Sequence, residues 1–299
     1  QKGTKLKTRW KALDSVGLYI PGGQGAYPSS VIMNVVPAKI AGVKRIVCVM
    51  PPSKNFNPYV LALLDKLGIE EIYQVGGAQA IAALTYGTKT IKPVNKIFGP
   101  GNDFVASAKK QVFGKVGIDL IAGPSEIVVV ANEKNNPEWV ASDLMAQSEH
   151  DINAQSILIS NNKYFIKSVI DKITKLNKSM LKKNVINKSL QLNGLVIFVE
   201  DIFKSNEIIN FIGPEHLHLH VKTSDKFLNT INNAGCIFVG EYSSEAFGDY
   251  IIGTNHILPT FGSAKFSSGL GVLDFMKRNT IVEMNKSSYL KYKNDVKRM

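Results

Sequence analysis

The chain has 299 residues, 44% of them apolar, enough to bury a sizeable core and, on length, to make two domains a better expectation than one. No apolar run approaches the roughly 20 residues that cross a bilayer, and the first residues lack the basic, apolar and small-residue order of a secretory signal, so a cytoplasmic protein with no membrane partner is expected. The formal net charge of +12 is scattered through Lys- and Asn-rich stretches such as NKSMLKKNVINKS, which argues against a nucleic-acid partner and leaves attraction of anionic ligands as a secondary use.

From residue 16 short β-branched runs alternate with longer amphipathic stretches. The first half reads VGLYI, the helix SVIMNVVPAKIAG, RIVCVM, the helix NPYVLALLDKLG, EIYQV, the helix AQAIAALTYG, KIFG, the helix NDFVASAKKQVFG and IDLI. The second half reads EIVVVAN, the helix NPEWVASDLMAQSEH, QSILIS, a polar helix over 162–177, LVIFVE and CIFVG. This is βαβ grammar, and it predicts an α/β fold of two Rossmann-like units with mostly parallel sheets covered by helices. The expected boundaries are 15–124, 125–280 and a C-terminal connection over 281–299. Cys48 and Cys236 sit in apolar strand-like runs and are expected to be small buried thiols of a reducing compartment.

Three Gly-rich loops, YIPGGQGAYPSS, VGGAQA and FGPGN, each follow a strand and precede a helix, where free backbone N–H groups can meet a phosphate. None is the dinucleotide fingerprint, because Tyr27 and Pro28 stand where its last glycine belongs. Gln147 and His150 stand three apart at a helix end and share a face. In GPEHLHLH the period of two puts His216, His218 and His220 on one strand face; a half-exposed polar face is the simpler expectation for His218 and His220, and a metal site is the rival. Glu215 beside His216 pairs a carboxylate with an imidazole for acid–base work. The turn-rich run AFGDYIIGTNHILPTFG gathers Asp249, Tyr250, Asn255 and His256, with no amphipathic period, and is expected as a loop.

Taken in order, VGLYIPGG, VGGAQAIAAL, FGPGN, AGPSE, QSEH, GPEHL and GDYIIGTNHILPT resemble the motifs of the histidinol dehydrogenase family, over about residues 8 to 285. The resemblance implies NAD contacts at Tyr19, Gln79 and Asn102, and zinc ligands at Gln147, His150 and Asp249. It implies the catalytic pair Glu215 and His216, and substrate contacts from Ser125, Gln147, His150, His216, Asp249, Tyr250 and His256. The implied reaction is oxidation of L-histidinol to L-histidine through L-histidinal, the last step of histidine biosynthesis, in a homodimer that uses NAD and Zn2+. Family members carry a longer N-terminal region and a C-terminal segment whose Glu and His complete the substrate and zinc sites across the dimer, so the chain is expected to be truncated at both ends. Three other readings are weighed: a dehydrogenase of the same family acting on another small alcohol, an inactive remnant that only binds, and a basic nucleic-acid binder, which no aromatic-basic motif supports.

Overall fold

The computed structural model describes residues 3–21, 28–53, 57–223 and 225–299. Most of the first Gly-rich loop, residues 22–27 with Tyr27, lies outside the described residues.

In chain order the first half runs β1 (Thr4–Ala12), β2 (Ser15–Tyr19), α1 (Pro28–Ala41), β3 (Arg45–Val49), α2 (Pro58–Lys66), β4 (Glu71–Tyr73), α3 (Gly77–Tyr86), β5 (Lys96–Phe98), α4 (Asp103–Val112) and β6 (Gly117–Ile118). The second half begins β7 (Glu126–Val130), α5 (Pro137–Ser148), β8 (Gln155–Ser160), α6 (Lys163–Leu176), α7 (Lys183–Asn193) and β9 (Leu195–Phe198). It continues α8 (Ser205–Ile212), β10 (His216–Leu219), α9 (Asp225–Leu228), β11 (Cys236–Val239), α10 (Glu245–Tyr250), β12 (Met276–Met284) and α11 (Lys286–Arg298).

Two five-stranded sheets result, ordered β4-β3-β2-β5-β6 and β11-β10-β7-β8-β9, and every neighbouring pair in them is parallel. The chain is thus an α/β protein of two helix-covered Rossmann-like sheets. Because successive strand residues point to opposite faces, β3 sends Ile46 and Cys48 to one core and Val47 and Val49 to the other. In the same way β7 splits Ile127 and Val129 from Val128 and Val130. On β10, Leu217 and Leu219 join the core that holds Val128 and Val130. His216, His218 and His220 therefore turn to the opposite face, the one α5 covers.

Three expectations need correcting. The run IDLI yields only the two-residue strand β6, because Asp119 turns its carboxylate to the Gly99 N–H at 2.7 Å and to buried Lys109. Cys48 is fully buried, but Cys236 is only half-buried, since β11 is an edge strand. His218 and His220 are not on a half-exposed face: they are 0% and 4% exposed, because β10 is an interior strand whose polar face is roofed by a helix that supplies Asp143 as partner.

Beyond His256 the chain returns to the first sheet. Ile257, Leu270 and Phe275 enter the core with Val16 and Leu18, and the Phe275 ring stacks on Phe98 at 4.1 Å. β12 then pairs antiparallel with β1, from Thr4 opposite Met284 to Ala12 opposite Met276, as a two-stranded ribbon apart from both sheets.

Candidate active site

The two sheets present opposite ends to one cavity. The C-terminal ends of β2, β3 and β5 deliver Tyr19, Pro51 and the Pro100–Asn102 turn, while the N-terminal ends of β7 and β10 are preceded by Ser125 and Glu215. With Gln147 at the end of α5, His150 just past it, Glu245, Asp249 and Tyr250 from α10, and His256, these residues and His216 line one cavity of about 430 Å3. Ten of the eleven site residues that the resemblance implies are in that lining, from both halves of the chain. Gln79 is not: it is exposed in the first turn of α3. That turn is nevertheless tied to the cavity wall, because Gly77 N–H donates to the Tyr19 hydroxyl at 3.1 Å.

On the first-sheet side, Asn102 caps α4, its side-chain oxygen accepting from Val105 N–H at 3.1 Å, so the positive end of a helix faces the cavity. The turn before it has no room for a side chain at Gly99. Gly99 has φ +104°, and a Cβ there would lie 2.2 Å from the Tyr19 carbonyl oxygen.

On the second-sheet side, His216 is 4% exposed and Glu215 6%. His216 Nδ1 lies 3.3 Å from the Glu126 carbonyl oxygen, which can only accept, so Nδ1 carries the proton and Nε2 presents its lone pair. Nε2 is buried without a hydrogen-bond partner among the described residues and stands 3.9 Å from Asp249 Oδ1. Burial pulls the His216 pKa down to about 4, against the pull of the Glu126 carbonyl, so the ring is a neutral base at pH 7.

Glu215 behaves in the opposite sense. Burial pushes its pKa up to about 8, and the Glu126 and Asp249 charges add to this, although Glu126 N–H and the Ser125 hydroxyl donate to it. Glu126 N–H is 3.0 Å from Glu215 Oε2. The resting pair is therefore a protonated acid and a neutral imidazole, 3.8 Å apart. Burial also raises Asp249, with His256 and His150 opposing.

A linkage prediction follows from Glu215. Its folded-state pKa of about 8 exceeds the usual 4.5, so its contribution to stability is fully present below pH 4.5 and is lost as the pH rises towards 8. Glu215→Gln, a permanent mimic of the protonated acid, is expected to gain melting temperature relative to the wild type as the pH goes from 5 to 8 in chelator-treated protein. A difference in melting temperature that stays constant over that range contradicts the assignment.

Sequence reading missed Glu245. It is 5% exposed, with Oε1 3.7 Å from His216 Nδ1 and Oε2 without a partner among the described residues. Burial holds it well above the ordinary carboxylate range, and Asp249, Glu215 and Asp143 push it the same way. The four-residue spacing of Glu245 and Asp249 was the available signal. The run was expected as a loop, yet α10 is a short helix that puts both carboxylates on one face. His216, Glu245 and Asp249 bring ligand-type atoms within 4.8 Å of one another, and Gln147 Oε1 is a further buried oxygen without a partner among the described residues.

The histidinol dehydrogenase family profile matches residues 1–299. The chain belongs to the histidinol dehydrogenase family. It is 52% identical over 284 residues to histidinol dehydrogenase of Rhodospirillum rubrum, covering 94% of this chain and 65% of that protein. It is 52% identical over 290 residues to histidinol dehydrogenase 1 of a Nostoc species, covering 97% of this chain and 67% of that protein. The crystal structure of histidinol dehydrogenase from Elizabethkingia anophelis superposes with a TM-score of 0.95 at 36% identity, over 100% of this chain and 70% of that one. The chain thus spans about two thirds of the length of these relatives. No helix among the described residues is long and apolar enough to cross a membrane.

Proposed function

We propose that this chain carries the reaction centre of a histidinol dehydrogenase, which oxidises L-histidinol to L-histidinal and then to L-histidine, in the cytoplasm and as a homodimer, at the end of histidine biosynthesis. The observation that carries this reading is the convergence of Glu215, His216, Gln147, His150 and Asp249 with Tyr19 and Asn102 in one cavity.

The donor set suits zinc, which takes imidazole nitrogen and carboxylate or amide oxygen, and the unpartnered Gln147 Oε1 is the orphan such an ion would satisfy. Gln147, His150 and Asp249 would hold it, with Glu245 within reach of Asp249. Tyr19, Asn102 and the start of α4 would hold NAD, and Gln79 from the neighbouring turn. When bound, zinc supplies Lewis-acid anchoring of the amino alcohol, and NAD supplies the hydride acceptor.

His216 Nε2, neutral and unpartnered, takes the hydroxyl proton of the alcohol in the first oxidation, while the Glu126 carbonyl holds the ring in the right tautomer. Glu215 first releases its proton to the water of the open cavity and, as the carboxylate, then accepts the proton of the water that hydrates the aldehyde. The Ser125 hydroxyl and Glu126 N–H steady that carboxylate. Tyr250 and His256 line the same cavity and complete the substrate wall.

NADH formation from L-histidinol tests the reading, with zinc added. The expected yield is about two NADH per histidinol consumed, the four-electron stoichiometry of alcohol to acid. A yield of one NADH with free aldehyde rejects the second step. No turnover of histidinol alongside turnover of another small alcohol replaces the substrate.

A further inference from the structure

The second sheet offers its N-terminal edge to the catalytic cavity. Its C-terminal edge, the side at which open α/β sheets ordinarily bind ligands, takes no part in the reaction above. A cavity of about 750 Å3 opens there, with Asn132, His220, Lys222 and Gly240 in its wall, just past the ends of β7, β10 and β11.

His220 belongs to a buried cluster. Asp143, one helical turn before Gln147 on α5, places Oδ2 2.9 Å from His218 Nδ1 and 2.7 Å from His220 Nε2. The side chains of His218, His220 and Asp143 are 0%, 1% and 11% exposed.

The protons of this cluster are constrained. His218 Nε2 lies 2.9 Å from the Gly240 carbonyl oxygen, which only accepts, so Nε2 carries the ring proton. The His218 Nδ1 lone pair then faces a carboxylate oxygen, a pairing satisfied by a proton at this separation or, with a small outward shift of the ligands, by a metal ion. A ring N–H given to a backbone carbonyl is also the outer-shell arrangement of a metal-bound histidine, and it leaves His218 Nδ1 as the ligand atom. All three ligand atoms lie within 4.8 Å of one another.

We propose that Asp143, His218 and His220 form a second site for a zinc-class divalent ion, separate from the catalytic cavity. Two imidazole nitrogens and one carboxylate oxygen make the three-ligand set that zinc accepts while keeping a fourth position open, and His220, which supplies one of them, also stands in the wall of the C-terminal cavity. Lys134 and Lys222 in the same wall make an anion the class of ligand that would enter it.

Cobalt(II) is the probe, used on the whole chain carrying His150→Ala and Asp249→Asn so that the catalytic cavity has lost two donors. The doubly substituted chain is expected to keep one tightly bound cobalt, with visible absorption of low coordination number and an X-ray absorption spectrum showing two imidazoles. Adding Asp143→Asn, or separately His220→Asn, is expected to weaken binding at least about 10-fold with an unchanged circular dichroism spectrum. Should the doubly substituted chain not fold, Asp143→Asn or His220→Asn, each made alone in the wild-type chain, lowers the bound cobalt by one equivalent. No bound cobalt, binding indifferent to both added substitutions, or fewer than two imidazoles overturns the proposal and leaves a hydrogen-bonded imidazolium–carboxylate cluster.

Discussion

His216→Asn lowers the rate of NADH formation from L-histidinol by about 10²- to 10⁴-fold, the size of a lost general base. The asparagine amide can still donate to the Glu126 carbonyl that His216 Nδ1 now meets at 3.3 Å, so the local backbone keeps its partner. What disappears is the unpartnered Nε2 lone pair aimed into the cavity. The loss falls on kcat, because the proton moves only in the transition state. Steady-state kinetics with NADH absorbance checks it, and a fall of less than 10-fold sinks the assignment. Glu215→Gln serves as the internal contrast: it is expected to stall after the first hydride, bringing the yield from about two NADH per histidinol towards one.

The second large effect is on stability. Lys109→Met is expected to cost about 3–5 kcal/mol, the penalty for leaving one charge of a buried pair alone. Lys109 and Asp119 side chains are 2% and 3% exposed and ion-paired. Together they hold the Gly99 peptide, Lys109 Nζ donating to its carbonyl at 3.1 Å and Asp119 accepting from its N–H at 2.7 Å. Urea unfolding measures the cost, and a loss below about 1 kcal/mol contradicts it. Replacing both partners by apolar residues, Lys109→Met with Asp119→Leu, is expected to recover most of the loss. Since the braced peptide leads directly into Asn102, NAD affinity should fall in Lys109→Met along with stability.

What was legible follows from where the physics is local. β2, β3, β7 and β8 announce themselves because interior parallel strands are apolar on both faces, and their flanking helices carry caps such as Asn102, Asn136 and Asn162. β1 and β12 were silent: their members lie more than 260 residues apart and are exposed along most of their length, so neither carries an apolar period. α7 hid in a Lys/Asn-rich run whose buried residues are Ile186 and Ser189.

The site was read as motifs, and the motifs named residues that the fold then gathered. What spacing could not give was neighbours from other elements. Glu245 sat in a helix too short to show a period, and Asp143 gave no hint that two histidines some 75 residues away would share its carboxylate. The burial of His218 and His220 depends on that pairing, which is why a strand pattern alone suggested an exposed face.

The chain passes between the sheets twice, once at 119–125 and again after α10. The two passages are stitched together: Gly123 N–H donates to the Thr260 hydroxyl at 2.7 Å and Phe261 N–H to the Glu126 carboxylate at 3.2 Å. A single peptide link acts as a swivel, whereas two parallel links tied side by side act as a door hinge with one axis. Any widening of the cleft for substrate entry is thereby confined to bending about that strap. Glu126 is part of the hinge pin and touches both Glu215 and His216, so the acid–base pair sits where such a motion displaces it least.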